Sequence, residues 1–161
     1  MQKPLLSAGF ICFALASLFG IIDHTQTDWI YVDRISLGNG LSYGALAASL
    51  ALLTAAVSTS RLWQVVLLLL TLMAELAYPL AGKGAAIALQ SVLLVLFLRQ
   101  WWHRFRDLHL WWYPFFGACL TTAFGALLRI SGNQFWYLFI EPCASTSLLS
   151  LVWVLQRTKL V

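Results

Sequence analysis

The chain has 161 residues, of which 61% are hydrophobic and only 10% are charged, and its mean hydropathy is +0.81. This composition excludes a water-soluble globular protein and indicates an integral membrane protein. The formal net charge of +4 comes with no nucleic-acid-binding motif, so we predict no nucleic-acid partner.

Apolar stretches separated by short polar connections recur along the whole chain. Because a spanning helix needs roughly 20 mostly apolar residues, they predict an all-α membrane protein, a compact bundle of six transmembrane helices forming a single domain over residues 1–161. The expected bounds are about 5–22, 38–58, 62–80, 85–102, 110–128 and 134–155. The second and third helices are separated only by Thr59-Ser60-Arg61, so they can also be interpreted as one broken segment.

The basic residues divide unevenly between the two sides of this predicted bundle. If six helices alternate, three of the ten lysines and arginines lie on one side (Arg34, Lys83 and Arg129) and the others lie opposite. Cytoplasmic loops carry the excess of such residues, so both termini are predicted to be cytoplasmic. We therefore expect a multi-pass protein of the cytoplasmic (inner) membrane of a bacterium, with most tryptophans as interfacial anchors.

Two glutamates, Glu75 and Glu141, lie inside the predicted helices, close to Pro79 and Pro142. A charge in hydrocarbon costs several kcal/mol, so such residues usually face a bundle interior or a wet cavity. Each proline also removes a backbone donor and frees nearby carbonyls. At a rise of about 1.5 Å per residue, both carboxylates are expected roughly 10 Å below the outer boundary.

Further polar side chains are expected at neighbouring depths in the outer half of the bundle. The connection from Asp23 to Leu37 lies on the same side, and its Trp29 belongs either to a lid over the bundle mouth or to a solvated loop. The predicted ligand-binding residues are Glu75, Glu141, Gln90, Tyr78, Thr121, Thr122, Tyr43 and Trp29. The alternative is that each glutamate bonds a neighbouring helix and has a purely structural role.

The charge around this predicted site favours a cationic ligand. Asp23, Asp28 and Asp33 outnumber Arg34 in the outer connection, and a negative potential raises the local concentration of cations. Aromatic faces beside carboxylates also favour an organic ammonium group. Arg129, at the outer end of the fifth predicted helix, opposes this inference because it can neutralise Glu141.

Catalytic signatures are weak. Gly40-Leu41-Ser42-Tyr43-Gly44 matches the hydrolase pattern G-x-S-x-G without the strand and elbow that the pattern requires. Glycine and serine in a membrane helix are more often packing residues. His24 is the one histidine expected on the side of Ser42, and the two glutamates are a conceivable acid and base pair. The catalytic candidates are Glu75, Glu141, Ser42 and His24.

The sequence predicts neither a metal site nor a cofactor, because no metal-binding motif, no C-x-x-C pair and no histidine at mid-membrane is present. The leading hypothesis is non-catalytic binding or translocation of a small cationic or amphiphilic molecule, with membrane lipid as the surrounding partner. It predicts that Glu75→Gln and Glu141→Gln abolish binding in a folded protein. The alternatives are a structural or accessory subunit of a larger membrane complex, with partner subunits, and an intramembrane enzyme acting on a lipid or isoprenoid.

Overall fold

The computed structural model describes residues 2–25, 31–32, 35–58, 60–106 and 112–157. These residues are almost all helical. Five helices and a two-stranded antiparallel hairpin follow one another along the chain, with a short 3₁₀ helix (Gln134–Trp136) before the last helix. In chain order they are α1 (Gln2–Thr25), β1 (Tyr31–Val32), β2 (Ile35–Ser36), α2 (Leu37–Val57), α3 (Arg61–Phe105), α4 (Trp112–Ser131) and α5 (Tyr137–Arg157).

Four segments of the described residues are long and apolar enough to cross a membrane. They are Lys3–Gly20, Gly40–Val57, Leu76–Phe105 and Leu138–Arg157, and two shorter apolar helices are Arg61–Ala74 and Phe115–Leu128. Apart from the short hairpin and the turns between helices, the described residues are helical, so the coarse prediction of an α-helical, multi-pass membrane protein is confirmed. The number of crossings and the side on which the termini lie stay predictions.

Helix α3 changes direction near its middle. Gly82 has φ 79° and ψ −179°, a conformation that is open essentially to glycine alone. Leu67 and Leu93 belong to one core cluster, although a straight helix would hold them about 39 Å apart. We therefore divide α3 into a first half (61–81) and a second half (83–105), and the boundary falls between the predicted helices at 62–80 and 85–102.

Small residues of α2 provide the surface on which these helices pack. Ala47, Ala51 and Ala55 are buried in the same core cluster as Leu67 and Leu93. On the side facing α1, a Cβ on Gly9 would lie 2.8 Å from Leu53 Cγ, so the missing side chain allows the two helices to approach closely.

The connection between α2 and α3 shows that they are two separate helices. Helix α2 ends at Val57, and α3 begins at Arg61. The buried Gln64 side chain donates from Nε2 to the carbonyls of Ala55, at 3.1 Å, and Ser58, at 3.2 Å. These bonds satisfy carbonyls at the end of α2, which have no partner within the helix. The helix is thus interrupted between Val57 and Arg61, and the number of membrane crossings made by α2 and the first part of α3 stays a prediction.

The chain forms two compact units, Met1–Gln100 and Trp101–Val161. In the second unit, α4 packs antiparallel to α5, since Phe124 stacks on Phe139 at 5.2 Å between ring centroids and Gly117 lies against Ser147. The expectation of a single domain over the whole chain stays a prediction.

Candidate ligand-binding site

Two tyrosines from different helices stack in the first unit. The rings of Tyr43, in α2, and Tyr78, in the first half of α3, are 5.7 Å apart between centroids and 16° from parallel. Such pairs contribute about 0.5–1.5 kcal/mol beyond the area that they bury. Gly40 makes room for the stack, because a Cβ there would stand 3.0 Å from Tyr78 Cδ1.

Gln90 joins the second half of α3 to the same place. Its Nε2 donates to the backbone carbonyl of Tyr43 at 2.9 Å. A carbonyl oxygen has two lone pairs, so it can accept this bond in addition to the one within α2. The donor must face the carbonyl, which leaves Gln90 Oε1 as an acceptor that has no partner among the described residues.

A positive charge lies beside the tyrosines. Lys83 Nζ is 5.9 Å from the centroid of the Tyr43 ring, at the outer limit of a cation–π interaction. Lys83 follows Gly82 directly, so the change of direction in α3 brings it to this position. We call Tyr43, Tyr78, Lys83 and Gln90 the tyrosine cluster.

The sequence predicts Tyr43, Tyr78 and Gln90 as site residues, and the structure brings these three together. Lys83 is not among the predicted site residues. The sequence signal for Lys83 is its place between the predicted helices at 62–80 and 85–102, at the same end of the third helix as Tyr78.

The two glutamates are placed only by their backbones. Glu75 lies in α3, three residues before Tyr78, and Glu141 lies in α5, in the second unit. The side chains of both glutamates and of His24 lie outside the described residues, as does the whole of Trp29. Their roles in the site, and the equal depth of the two carboxylates, stay predictions.

Thr121 and Thr122 belong to the second unit and use their hydroxyl groups within α4. Thr121 Oγ1 donates to the carbonyl of Gly117, and Thr122 Oγ1 donates to that of Ala118, each at 2.8 Å. Bonds of this kind to the preceding turn satisfy a hydroxyl in an apolar setting without any partner from another helix. The predicted contact of the two threonines with a ligand stays a prediction.

Ser42 joins α1 to α2. Its Oγ donates to the carbonyl of Ala16 at 2.9 Å. The segment Gly40–Gly44 lies within α2, so the strand and elbow that hold the nucleophile in serine hydrolases are not present around it. This arrangement favours packing as the role of Ser42.

The described residues contain no group of three or more His, Cys, Asp or Glu side chains that could hold a metal ion. The side chains of all six acidic residues lie outside that set. The predicted absence of a metal site therefore stays a prediction.

A family model described as "Seven transmembrane receptor" matches residues 2–160 of the chain. The match covers nearly all of both compact units. No curated protein and no solved structure matches the chain.

Proposed function

Since the chain belongs to the seven transmembrane receptor family, we propose that it is a non-catalytic receptor for a small amphiphilic molecule with a cationic group. The proposed site is the tyrosine cluster, and Glu75 is the proposed counter-ion. The proposal rests on one observation. Tyr43 in α2, Tyr78 in the first half of α3 and Gln90 in the second half of α3 lie together.

The groups in the cluster support recognition of an ammonium group. The ammonium of Lys83 lies over the Tyr43 ring, so this face attracts a cation, and a ligand ammonium that takes the same position displaces Lys83 from it. Gln90 Oε1 adds an acceptor nearby. Glu75, one turn before Tyr78 in α3, supplies the negative charge in this proposal.

The surroundings of Tyr78 support an amphiphilic ligand. Leu76 is 55% exposed and Leu80 is 78% exposed, and they flank Tyr78 and Pro79 in α3. In a membrane, exposed leucines of this kind face lipid chains. A ligand with an apolar tail can therefore reach the cluster from the bilayer while its charged group meets the tyrosines.

The proposal is tested with two probes that share one apolar tail. Purified protein in nanodiscs is titrated with dodecyltrimethylammonium and with dodecyl maltoside, and binding is followed by native mass spectrometry. We expect the cationic probe to bind more tightly. Glu75→Gln should weaken that binding at least about tenfold, because a ligand charge loses its partner, and Gln90→Leu should weaken it about fivefold, because one hydrogen bond is lost.

The matched control is Gln156→Leu, the same substitution at an exposed position of α5, which should bind both probes as the wild type does. The proposal is wrong if the two probes bind equally to the wild type, or if Glu75→Gln and Gln90→Leu leave binding of the cationic probe unchanged. Glu141→Gln is measured in the same titration, because the sequence predicts a loss of binding in that variant too.

A further inference from the structure

One end of the second unit carries exposed indole rings. Trp102, at the end of α3, is 38% exposed, Trp112, at the start of α4, is 43% exposed, and Trp153, near the end of α5, is 39% exposed. Trp102 contacts Phe115 edge to face, with ring centroids 6.4 Å apart. The end of α3 and the start of α4 are therefore neighbours.

The antiparallel packing of α4 and α5 brings the third indole to the same end. Gly117 lies opposite Ser147. Trp112 precedes Gly117 by one to two turns, and Trp153 follows Ser147 by a similar distance. Trp112 and Trp153 are therefore at the same level.

Basic side chains accompany these rings. The guanidinium carbon of Arg157 is 4.5 Å from the centroid of the Trp153 ring, and His103 and Arg104 are exposed next to Trp102. No acidic residue occurs in residues 101–106 or 142–157 of the sequence, and Asp107 is the first that follows α3. Positive charge at the ends of α3 and α5 also complements the negative ends of the helix dipoles.

The opposite face of the α3 end is held in place. Trp101 is 0% exposed and Phe105 is 2% exposed, and their rings are 4.3 Å apart between centroids. Because residues four apart share one face of a helix, burial of this pair fixes the rotation of the segment. Trp102 and His103 lie on the outward side as a result.

We propose that this end of the molecule binds the head groups of anionic phospholipids. We call it the basic tryptophan end, and its residues are Trp102, His103, Arg104, Trp112, Trp153 and Arg157. Indole rings favour the level of the lipid head groups, and a guanidinium can donate two hydrogen bonds to one phosphate. The combination of three indoles with basic side chains fits a phosphate at a membrane surface rather than a phosphate in solution.

The test compares two double variants that each lose two positive charges. The full chain is reconstituted in nanodiscs of phosphatidylcholine with about one quarter phosphatidylglycerol, and the lipids retained on release are counted by native mass spectrometry. Each basic residue that contacts a bound head group contributes about fivefold to its affinity, so Arg104→Gln with Arg157→Gln should reduce the preference for phosphatidylglycerol about 25-fold.

The control is Lys3→Gln with Arg61→Gln. Both residues are exposed, and both are predicted to lie on the same side of the membrane, so the control loses the same charge from the same surface. We expect it to keep most of the preference. The proposal is overturned if the wild type retains phosphatidylglycerol no better than phosphatidylcholine, or if the control loses as much as the test variant. Circular dichroism of both variants confirms that the helices are intact.

Discussion

Gly117 is a position where a single missing side chain determines how two helices pack. A Cβ on it would stand 2.5 Å from Ser147 Cβ and 3.0 Å from Ser147 Cα. Gly125, about two turns further along α4, has no atom within 4 Å of the corresponding position. Small residues allow membrane helices to approach closely, so these two glycines should respond differently to the same substitution.

We expect Gly117→Ala to lower the free energy of unfolding by about 1–3 kcal/mol, because the added methyl group forces α4 away from α5. Gly125→Ala should be neutral, or stabilising by up to about 1 kcal/mol through helix propensity. Unfolding of the purified protein in a denaturing detergent titration measures both. Ser147→Gly should restore part of the loss in Gly117→Ala, and equal effects of the two alanine substitutions would contradict the close contact.

For individual site residues, the sequence predicts the depth in the membrane but not the direction in which the side chain points. The rise of a helix places Tyr78 and Gln90 near one level, and the structure brings both to Tyr43. Depth does not give rotation about the helix axis. The bond from Gln90 to a backbone carbonyl and the position of Lys83 over a ring depend on that rotation, so neither could be predicted.

Among the elements, α3 is the one whose course depends on a particular backbone conformation. Gly82 combines a positive φ with an extended ψ, whereas Gly84 lies within the second half of the helix. A Cβ at either position would meet no atom within 4 Å. An added methyl group therefore causes no clash at either glycine, and the two positions differ only in backbone conformation.

Gly82→Ala should destabilise the protein by about 1–3 kcal/mol, because an L-residue is strained in this conformation. Gly84→Ala should stabilise it by up to about 1 kcal/mol, because alanine favours the helix. Thermal unfolding followed by circular dichroism compares the two variants with the wild type. A loss of stability in Gly84→Ala as large as that in Gly82→Ala would show that the strain at Gly82 is not the cause.

The apolar pattern of the sequence does not predict accurately where the helices begin and end. Helix α1 begins at Gln2 and ends at Thr25, beyond the predicted 5–22, because polar residues at a membrane surface can continue a helix that hydropathy does not detect. The break between α2 and α3 was ambiguous for a similar reason. The bonds that Gln64 makes to Ala55 and Ser58 join residues on both sides of the break, and composition does not indicate them.

At the scale of the whole molecule, the number of membrane crossings decides where the chain ends lie. The sequence predicts six membrane crossings. The description of the family that matches residues 2–160 names seven transmembrane segments. An even number places both termini on one side of the membrane, and an odd number places them on opposite sides. The membrane class itself followed from composition, because 61% hydrophobic residues cannot all be buried in a chain of this size.

We expect both termini to be cytoplasmic, because most lysines and arginines fall on that side of a six-helix arrangement. Fusions of green fluorescent protein and of alkaline phosphatase to each terminus measure this in intact cells. Fluorescence without phosphatase activity is expected at both ends. Phosphatase activity at one terminus alone would indicate an odd number of crossings, and the present count would be wrong.

The change of direction at Gly82 also has a consequence for chirality. Inversion of φ 79° and ψ −179° gives angles of an ordinary extended backbone for an L-residue. The chain at Gly82 thus follows a path that suits a D-amino acid, and since a Cβ there meets no atom within 4 Å, handedness rather than size restricts this position. Glycine, the achiral residue, is the standard amino acid that folds α3 back here without strain.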